Sequence, residues 1–214
     1  MKIALIGASG FVGSAILQEL LARKHQVSAI VTNLSKLPQH PQLSGVAADA
    51  YQAGQIAAAV AGHDAVISAF NPGWDKADIQ ALAVKGHDAI VAGVKQAGVK
   101  RFLEVGGAGS LEVAPGVQLV DTPEFPAEWK EGALGVREAL RRLREENALD
   151  WTFVSPPAFL HPGERSGQYR LGGDQLLFNG DKPADISVED LAVAIVDELE
   201  KPQHLRRRFT AAAI

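Results

Sequence analysis

The chain is expected to fold as an α/β protein around a doubly wound parallel sheet, and three observations carry that expectation. Residues 2–6, Lys2-Ile3-Ala4-Leu5-Ile6, form a strand-length apolar run that leads through a glycine turn into residues with helical spacing. Strand-like runs and helix-like stretches then alternate for most of the length, as in parallel sheets covered on both faces. Finally, 214 residues with 47% hydrophobic and 21% charged content suit one well-buried α/β domain, 1–214.

After the first strand and a helix over about 11–23, strands are expected at 26–31, 45–48, 64–69, 101–105 and 151–154. Further helices are expected at about 53–61, 77–97 and 127–147. The last of these sets Trp129, Ala133, Val136, Leu140 and Leu143 on one face, an amphipathic stripe that reads as core-facing, with a helix-pair dimer as the other possibility. After Pro156-Pro157 the pattern breaks into a Gly- and Pro-rich segment, and 155–186 reads as a substrate-side excursion from the sheet. Ser187 then caps a helix over about 188–200, with Glu189 and Asp190 at its positive end. Arg206-Arg207-Arg208 reads as the solvated start of a final strand.

The turn Gly7-Ala8-Ser9-Gly10-Phe11-Val12-Gly13 has the chemistry of a phosphate site. Unpaired N–H groups and the positive dipole end gather at a helix N-terminus. Gly7 permits the tight turn, Gly10 lets backbone approach a pyrophosphate, and Gly13 lets helix lie close on strand. The spacing is Gly-x-x-Gly-x-x-Gly, and a simple packing turn is the competing reading. Ser9, Phe11 and Val12 share the cradle.

A formal charge of −4 offers no electrostatic case for nucleic acid or a membrane surface. The absence of cysteine excludes disulfides, thiolate metal sites and cysteine nucleophiles. The histidines lack ligand spacing, so no metal is expected. A core strand at residue 2 and no apolar run of membrane-spanning length make a cytoplasmic protein without a secretory signal the expectation. A small-molecule substrate is expected, and either a monomer or a dimer.

The opening Lys2 to Gly13 stretch resembles the atypical short-chain dehydrogenase/reductases with NAD(P)-binding Rossmann domains. So do Gly62-His63-Asp64-Ala65-Val66-Ile67-Ser68-Ala69, Phe102-Leu103-Glu104-Val105-Gly106-Gly107-Ala108-Gly109-Ser110, Leu149-Asp150-Trp151-Thr152-Phe153-Val154-Ser155-Pro156 and Ile186-Ser187-Val188-Glu189-Asp190-Leu191-Ala192-Val193-Ala194. Together they resemble most the NADH-flavin reductase branch, related to NmrA-like proteins and to flavin/biliverdin-IXβ reductase. The likeness runs from end to end.

The resemblance implies that the end of strand two selects the cofactor. Ile30-Val31-Thr32-Asn33-Leu34-Ser35-Lys36 holds no acid to favour NAD, and tips the expectation towards NADP. Thr32, Asn33 and Ser35 could donate hydrogen bonds and Lys36 could supply charge, although a polar loop reads the same way. By resemblance Asp49 approaches the adenine, Ala69 and Phe70 pass the ribose, and Pro156 with Pro157 borders the nicotinamide.

The family's Tyr-x-x-x-Lys pair is missing: neither Tyr51 nor Tyr169 has a lysine four residues later, and 127–147 contains no tyrosine. A ketone taking up hydride gains from a positioned acid, whereas a flavin spreads the charge and takes its proton later. Hydride transfer to a free flavin or similar conjugated ring is therefore the leading expectation, with flavin as substrate and not as a resident group. A non-catalytic NmrA-like redox sensor is the alternative, and a sugar-nucleotide epimerase or dehydratase a third. Candidate site residues are Ser110 for a hydrogen bond to substrate, His161 as a proton donor, Arg165 for a flavin phosphate, and Phe125 and Trp129 as acceptor walls. Each also reads as an ordinary loop or core residue.

Overall fold

The computed structural model describes residues 1–214. The first half comprises β1 (Lys2–Ile6), α1 (Phe11–Ala22), β2 (Gln26–Val31), β3 (Leu43–Ala47), α2 (Ala53–Val60), β4 (Ala65–Ser68), α3 (Ile79–Gln96) and β5 (Arg101–Val105). A short hairpin, β6 (Glu112–Ala114) and β7 (Val117–Gln118), precedes α4 (Ala127–Arg144) and β8 (Asp150–Ser155). The remainder holds β9 (Phe159–His161), β10 (Arg170–Gly172), β11 (Phe178–Asn179), β12 (Lys182–Pro183), β13 (Asp185–Ser187), α5 (Val188–Glu200) and β14 (Arg207–Ala212).

Eight strands form one sheet in the order β10-β14-β8-β5-β4-β1-β2-β3. All its pairings are parallel except that of β10 with β14. The order reverses between β1 and β4, the switch point beyond whose strand ends doubly wound sheets bind ligands. Alternation within the strands divides the core. Ile3, Leu5, Ile67 and Leu103 face α1 and α5, while Ala4, Ile6, Val66 and Phe102 face α2, α3 and α4.

Local signals set the helix ends. Ser187 Oγ accepts from the Asp190 N–H at 3.0 Å, the expected cap of α5. Within 155–186, β10 joins the main sheet's edge and β9 pairs in parallel with β13, so the excursion is tied to the sheet.

Two packing expectations are corrected. Leu140 and Leu143 of the expected stripe are buried, but Trp129 is half exposed, and the buried face of α4 is completed by Gly132, Gly135 and Ala139. The glycines bring α4 close to α3: a Cβ on Gly135 would stand 2.9 Å from the Ala83 side chain and the Gln80 carbonyl oxygen. Of Arg206, Arg207 and Arg208, at the start of β14 and just before it, only Arg206 and Arg207 are exposed. Arg208 is buried, donating from Nε to Asp174 at 2.9 Å and from Nη1 to Ser110 Oγ at 2.7 Å.

Candidate active site

The turn between β1 and α1 presents backbone with few side chains over it. Gly7 adopts φ 77°, a left-handed conformation that suits glycine, and its N–H donates to the Ile30 carbonyl at 3.0 Å. A Cβ on Gly7 would come within 2.6 Å of the Ala69 carbonyl oxygen, and one on Gly13 within 1.9 Å of the Gly7 carbonyl oxygen. A Cβ on Gly10 would meet nothing nearer than the Gly7 carbonyl oxygen at 3.5 Å, so Gly10 borders open space. Two of the glycines are thus needed for packing, and the third leaves room above the helix end.

That end is electrostatically bare. Gly10 is the N-cap of α1, no side chain caps it, and the first turn contains no acid. The Ser14 N–H makes the first bond of the helix, to the Gly10 carbonyl at 2.8 Å, which leaves the N–H groups of Phe11, Val12 and Gly13 free of intrahelical partners. Donors, dipole and an uncrowded glycine together fit a pyrophosphate.

The other candidate cofactor residues border the same strand ends. Thr32 and Lys36 are exposed. Asn33 Oδ1 is engaged, accepting from the Ser35 N–H at 3.0 Å and the Ser35 hydroxyl at 2.6 Å. Asp49 Oδ1 accepts from the Tyr51 N–H at 2.9 Å, so this carboxylate shapes the loop before α2. Ala69 and Phe70 lie directly against Gly7. Ser9 and Phe11 are exposed, Val12 is half-buried, and Pro156 and Pro157 are buried after β8.

A cleft opens beyond β4 and β5, between α3 and α4, lined by Phe70, Trp74, Glu104, Val105, Gly132 and Val136. Its aromatic rings rest on helix glycines. A Cβ on Gly86 would meet the Phe70 ring at 2.2 Å, and one on Gly132 the Trp74 ring at 2.5 Å. Trp74 is 58% exposed at the mouth. Tyr51 packs edge-on against Phe70 with ring centroids 5.4 Å apart. Lys85 Nζ sits 5.1 Å from the Tyr51 ring centroid, a tertiary tyrosine–lysine pair without the sequence motif. Burial first, then Asp49 and Asp78, hold this phenol above its ordinary value, opposite to the activation a tyrosine acid needs.

One titratable pair at the cleft was not singled out by the sequence reading. Glu104 ends the α3-facing row of β5, and His87 Nδ1 lies 2.8 Å and 2.9 Å from its two carboxylate oxygens. Burial draws the imidazolium down, but the Glu104 charge and hydrogen bond outweigh it, so His87 is held above the ordinary 6.5. Asp88 adds to the rise and Arg142 opposes it. The available signal was a carboxylate placed between Leu103 and Val105 in a buried strand.

Three sequence candidates are committed elsewhere. Ser110 is buried and its hydroxyl accepts from Arg208 at 2.7 Å, which places it in the packing around Arg208 and away from the cleft. Arg165 grips Glu19 of α1 at 2.6 Å and 2.8 Å, which leaves it no fork for a flavin phosphate. His161 is exposed, with Nε2 at 2.8 Å from Asp185. The Pro162 carbonyl and then Asp185 raise its pKa. Trp129 is exposed and Phe125 half-buried, and neither lines the cleft.

Known proteins with this architecture are readily found. The chain is 40% identical over 218 residues to "Uncharacterized protein YwnB" of Bacillus subtilis, covering 100% of this chain and 99% of that one. A crystal structure named "putative epimerase" from Bacteroides thetaiotaomicron superposes with a TM-score of 0.92 at 45% identity, over 100% of this chain and 97% of that one. A "putative NADH-flavin reductase" from Streptococcus pneumoniae does so with a TM-score of 0.86 at 36% identity, over 100% of both chains. No helix is long and apolar enough to cross a membrane. A family model whose description is NAD(P)H-binding matches residues 7–202, in keeping with the glycine cradle, and the chain belongs to that NAD(P)H-binding Rossmann family.

Proposed function

We propose that this protein uses NADPH, or NADH, to reduce a free flavin or a similar conjugated ring. One observation carries the reading: the cleft beyond β4 and β5 presents the Phe70 and Trp74 rings and no activated tyrosine. Flat aromatic walls suit a flat acceptor. The "putative NADH-flavin reductase" likeness supports the same assignment.

When bound, the dinucleotide supplies a hydride from its nicotinamide. The chain's residues bind and orient. N–H groups of Phe11, Val12 and Gly13 hold the pyrophosphate, and Thr32 and Lys36 meet the adenosine ribose or its 2′-phosphate. Ala69 and Phe70 bring backbone past the nearer ribose, with Pro156 beside the nicotinamide. Phe70 and Trp74 hold the acceptor ring in contact with the donor, which converts an encounter into an intramolecular reaction.

Oxidation of NADPH or NADH should accompany anaerobic reduction of FMN, FAD or riboflavin by the purified protein. Tight dinucleotide binding without turnover of any flavin would replace this reading with that of a redox sensor. The "putative epimerase" likeness makes sugar nucleotides the control substrates, for which the lack of an activated tyrosine predicts no turnover.

A further inference from the structure

Resting on the flavin-reductase reading, we infer that Glu104 and His87 form a proton relay from the outer α3–α4 groove to the acceptor cleft. Glu104 occupies an inward position of β5, on the same face as the buried Phe102, where packing alone would favour an apolar side chain. Its partner His87 belongs to α3 and is 4% exposed. A buried imidazole and a largely covered carboxylate joined at 2.8 Å carry a desolvation cost that a structural contact could avoid with apolar residues.

The pair opens at both ends. Glu104 lines the cleft beside Phe70 and Trp74, where a cavity of about 30 Å³ has room for one bridging water between Glu104 and an acceptor ring stacked on the exposed Trp74 at the mouth. His87 lines a separate groove of about 460 Å³ on the outer face, between α3 and α4. The charged groups around that groove are paired with one another: Arg142 donates to Asp88 at 2.7 Å and Lys95 to Glu146 at 2.9 Å. The neighbouring α2 carries no titratable residue. His87 therefore answers chiefly to Glu104, which holds its proton towards neutral pH.

The proton balance is direct. The dinucleotide, as two-electron donor, gives the acceptor a hydride, and a flavin then carries one negative charge until a proton arrives. The His87 imidazolium passes its Nδ1 proton to the Glu104 carboxylate, which delivers it to the reduced acceptor. The neutral imidazole is recharged by groove water. Oxidised acceptor, hydride and one proton yield the neutral reduced acceptor, with Glu104 and His87 unchanged over the cycle.

The test uses Glu104→Gln, Glu104→Ala and His87→Gln with NADPH and FMN, alongside NMR titration of the His87 ring in the protein without ligands. In the wild type the ring should titrate above 6.5, and in Glu104→Gln below its wild-type value. Glu104→Gln should slow the protonation that follows hydride transfer and lower kcat severalfold, with KM for the dinucleotide unchanged. It should also remove the alkaline limb of the kcat profile, and formate should restore turnover to Glu104→Ala. A purely structural pair would change melting temperature but neither the pH profile nor the response to formate. Unchanged kcat and pH profile in Glu104→Gln, or a wild-type ring that titrates below 6.5, would overturn the relay while flavin reduction stands. A wild type that reduces no flavin would overturn the parent reading, and the relay with it.

Discussion

Gly13 packs so tightly on Gly7 that a Cβ on Gly13 would stand 1.9 Å from the Gly7 carbonyl oxygen, inside any permitted contact. The third glycine of the cradle is therefore a packing glycine, and Gly10 is the one that faces open space. The two positions should fail in different ways. Gly13→Ala should lose stability by about 2 kcal/mol or more, seen as a lower midpoint in urea. Gly10→Val, whose extended φ of −79° any residue adopts, should melt like the wild type. It should bind dinucleotide at least about tenfold more weakly by calorimetry, because its methyl groups occupy the space above the free N–H groups. Retained affinity in Gly10→Val would exclude the cradle as a phosphate site.

Cofactor choice should follow the exposed edge after β2. Lys36→Ala should weaken NADPH by about threefold to tenfold and leave NADH nearly unchanged, since only the 2′-phosphate adds charge for lysine to meet. Thr32→Asp should reverse the preference towards NADH. Equal losses for both cofactors would remove Lys36 from the phosphate site.

Trp74 offers its own reporter. Flavin bound on its ring should quench its fluorescence, and Trp74→Ala should raise KM for FMN about tenfold while the dinucleotide Kd stays constant. Quenching that survives the substitution in full would place the acceptor elsewhere.

The grip of Arg165 on Glu19 ties the excursion to α1 and should depend on pH. The Arg165 hydrogen bonds first, then Arg23, hold the Glu19 carboxyl below its ordinary 4.5 against the opposing pull of burial. A carboxyl with a lowered folded pKa stabilises above its unfolded value and loses that contribution as pH falls through the folded one. Arg165 is half exposed, which limits the effect of Arg165→Ala at neutral pH to about 1 kcal/mol. The difference from wild type should shrink as pH falls below 4.5, measured by urea unfolding.

His87 supplies the opposite sign. Its folded pKa lies above 6.5, so its contribution is complete below that value and is lost as pH rises through the folded one. Thermal melts should show His87→Gln more destabilising at about pH 6 than at about pH 9. A constant difference would mean the ring stays neutral.

The elements legible in the sequence were those specified locally. The parallel strands are apolar runs bounded by turns, Ser187 caps α5 from three residues away, and the Gly7–Gly13 cradle lies within one turn. The periodicity of α4 misled because a hydrophobic stripe counts side chains. Its close approach to α3 is made by Gly132 and Gly135, which have none. Ser110 and Arg165 were ambiguous, and Glu104 was missed, for a different reason: each is defined by a partner on another element of the fold. Arg208 lies 98 residues from Ser110, Glu19 lies 146 from Arg165, and His87 is on another element from Glu104. The sequence by itself determined the parallel α/β fold and a bare glycine turn at its first helix, because glycine's missing side chain acts where it stands. Only the tertiary structure decided which polar side chains remain free for chemistry, because a carboxylate's or hydroxyl's availability depends on which distant donor the fold brings to it.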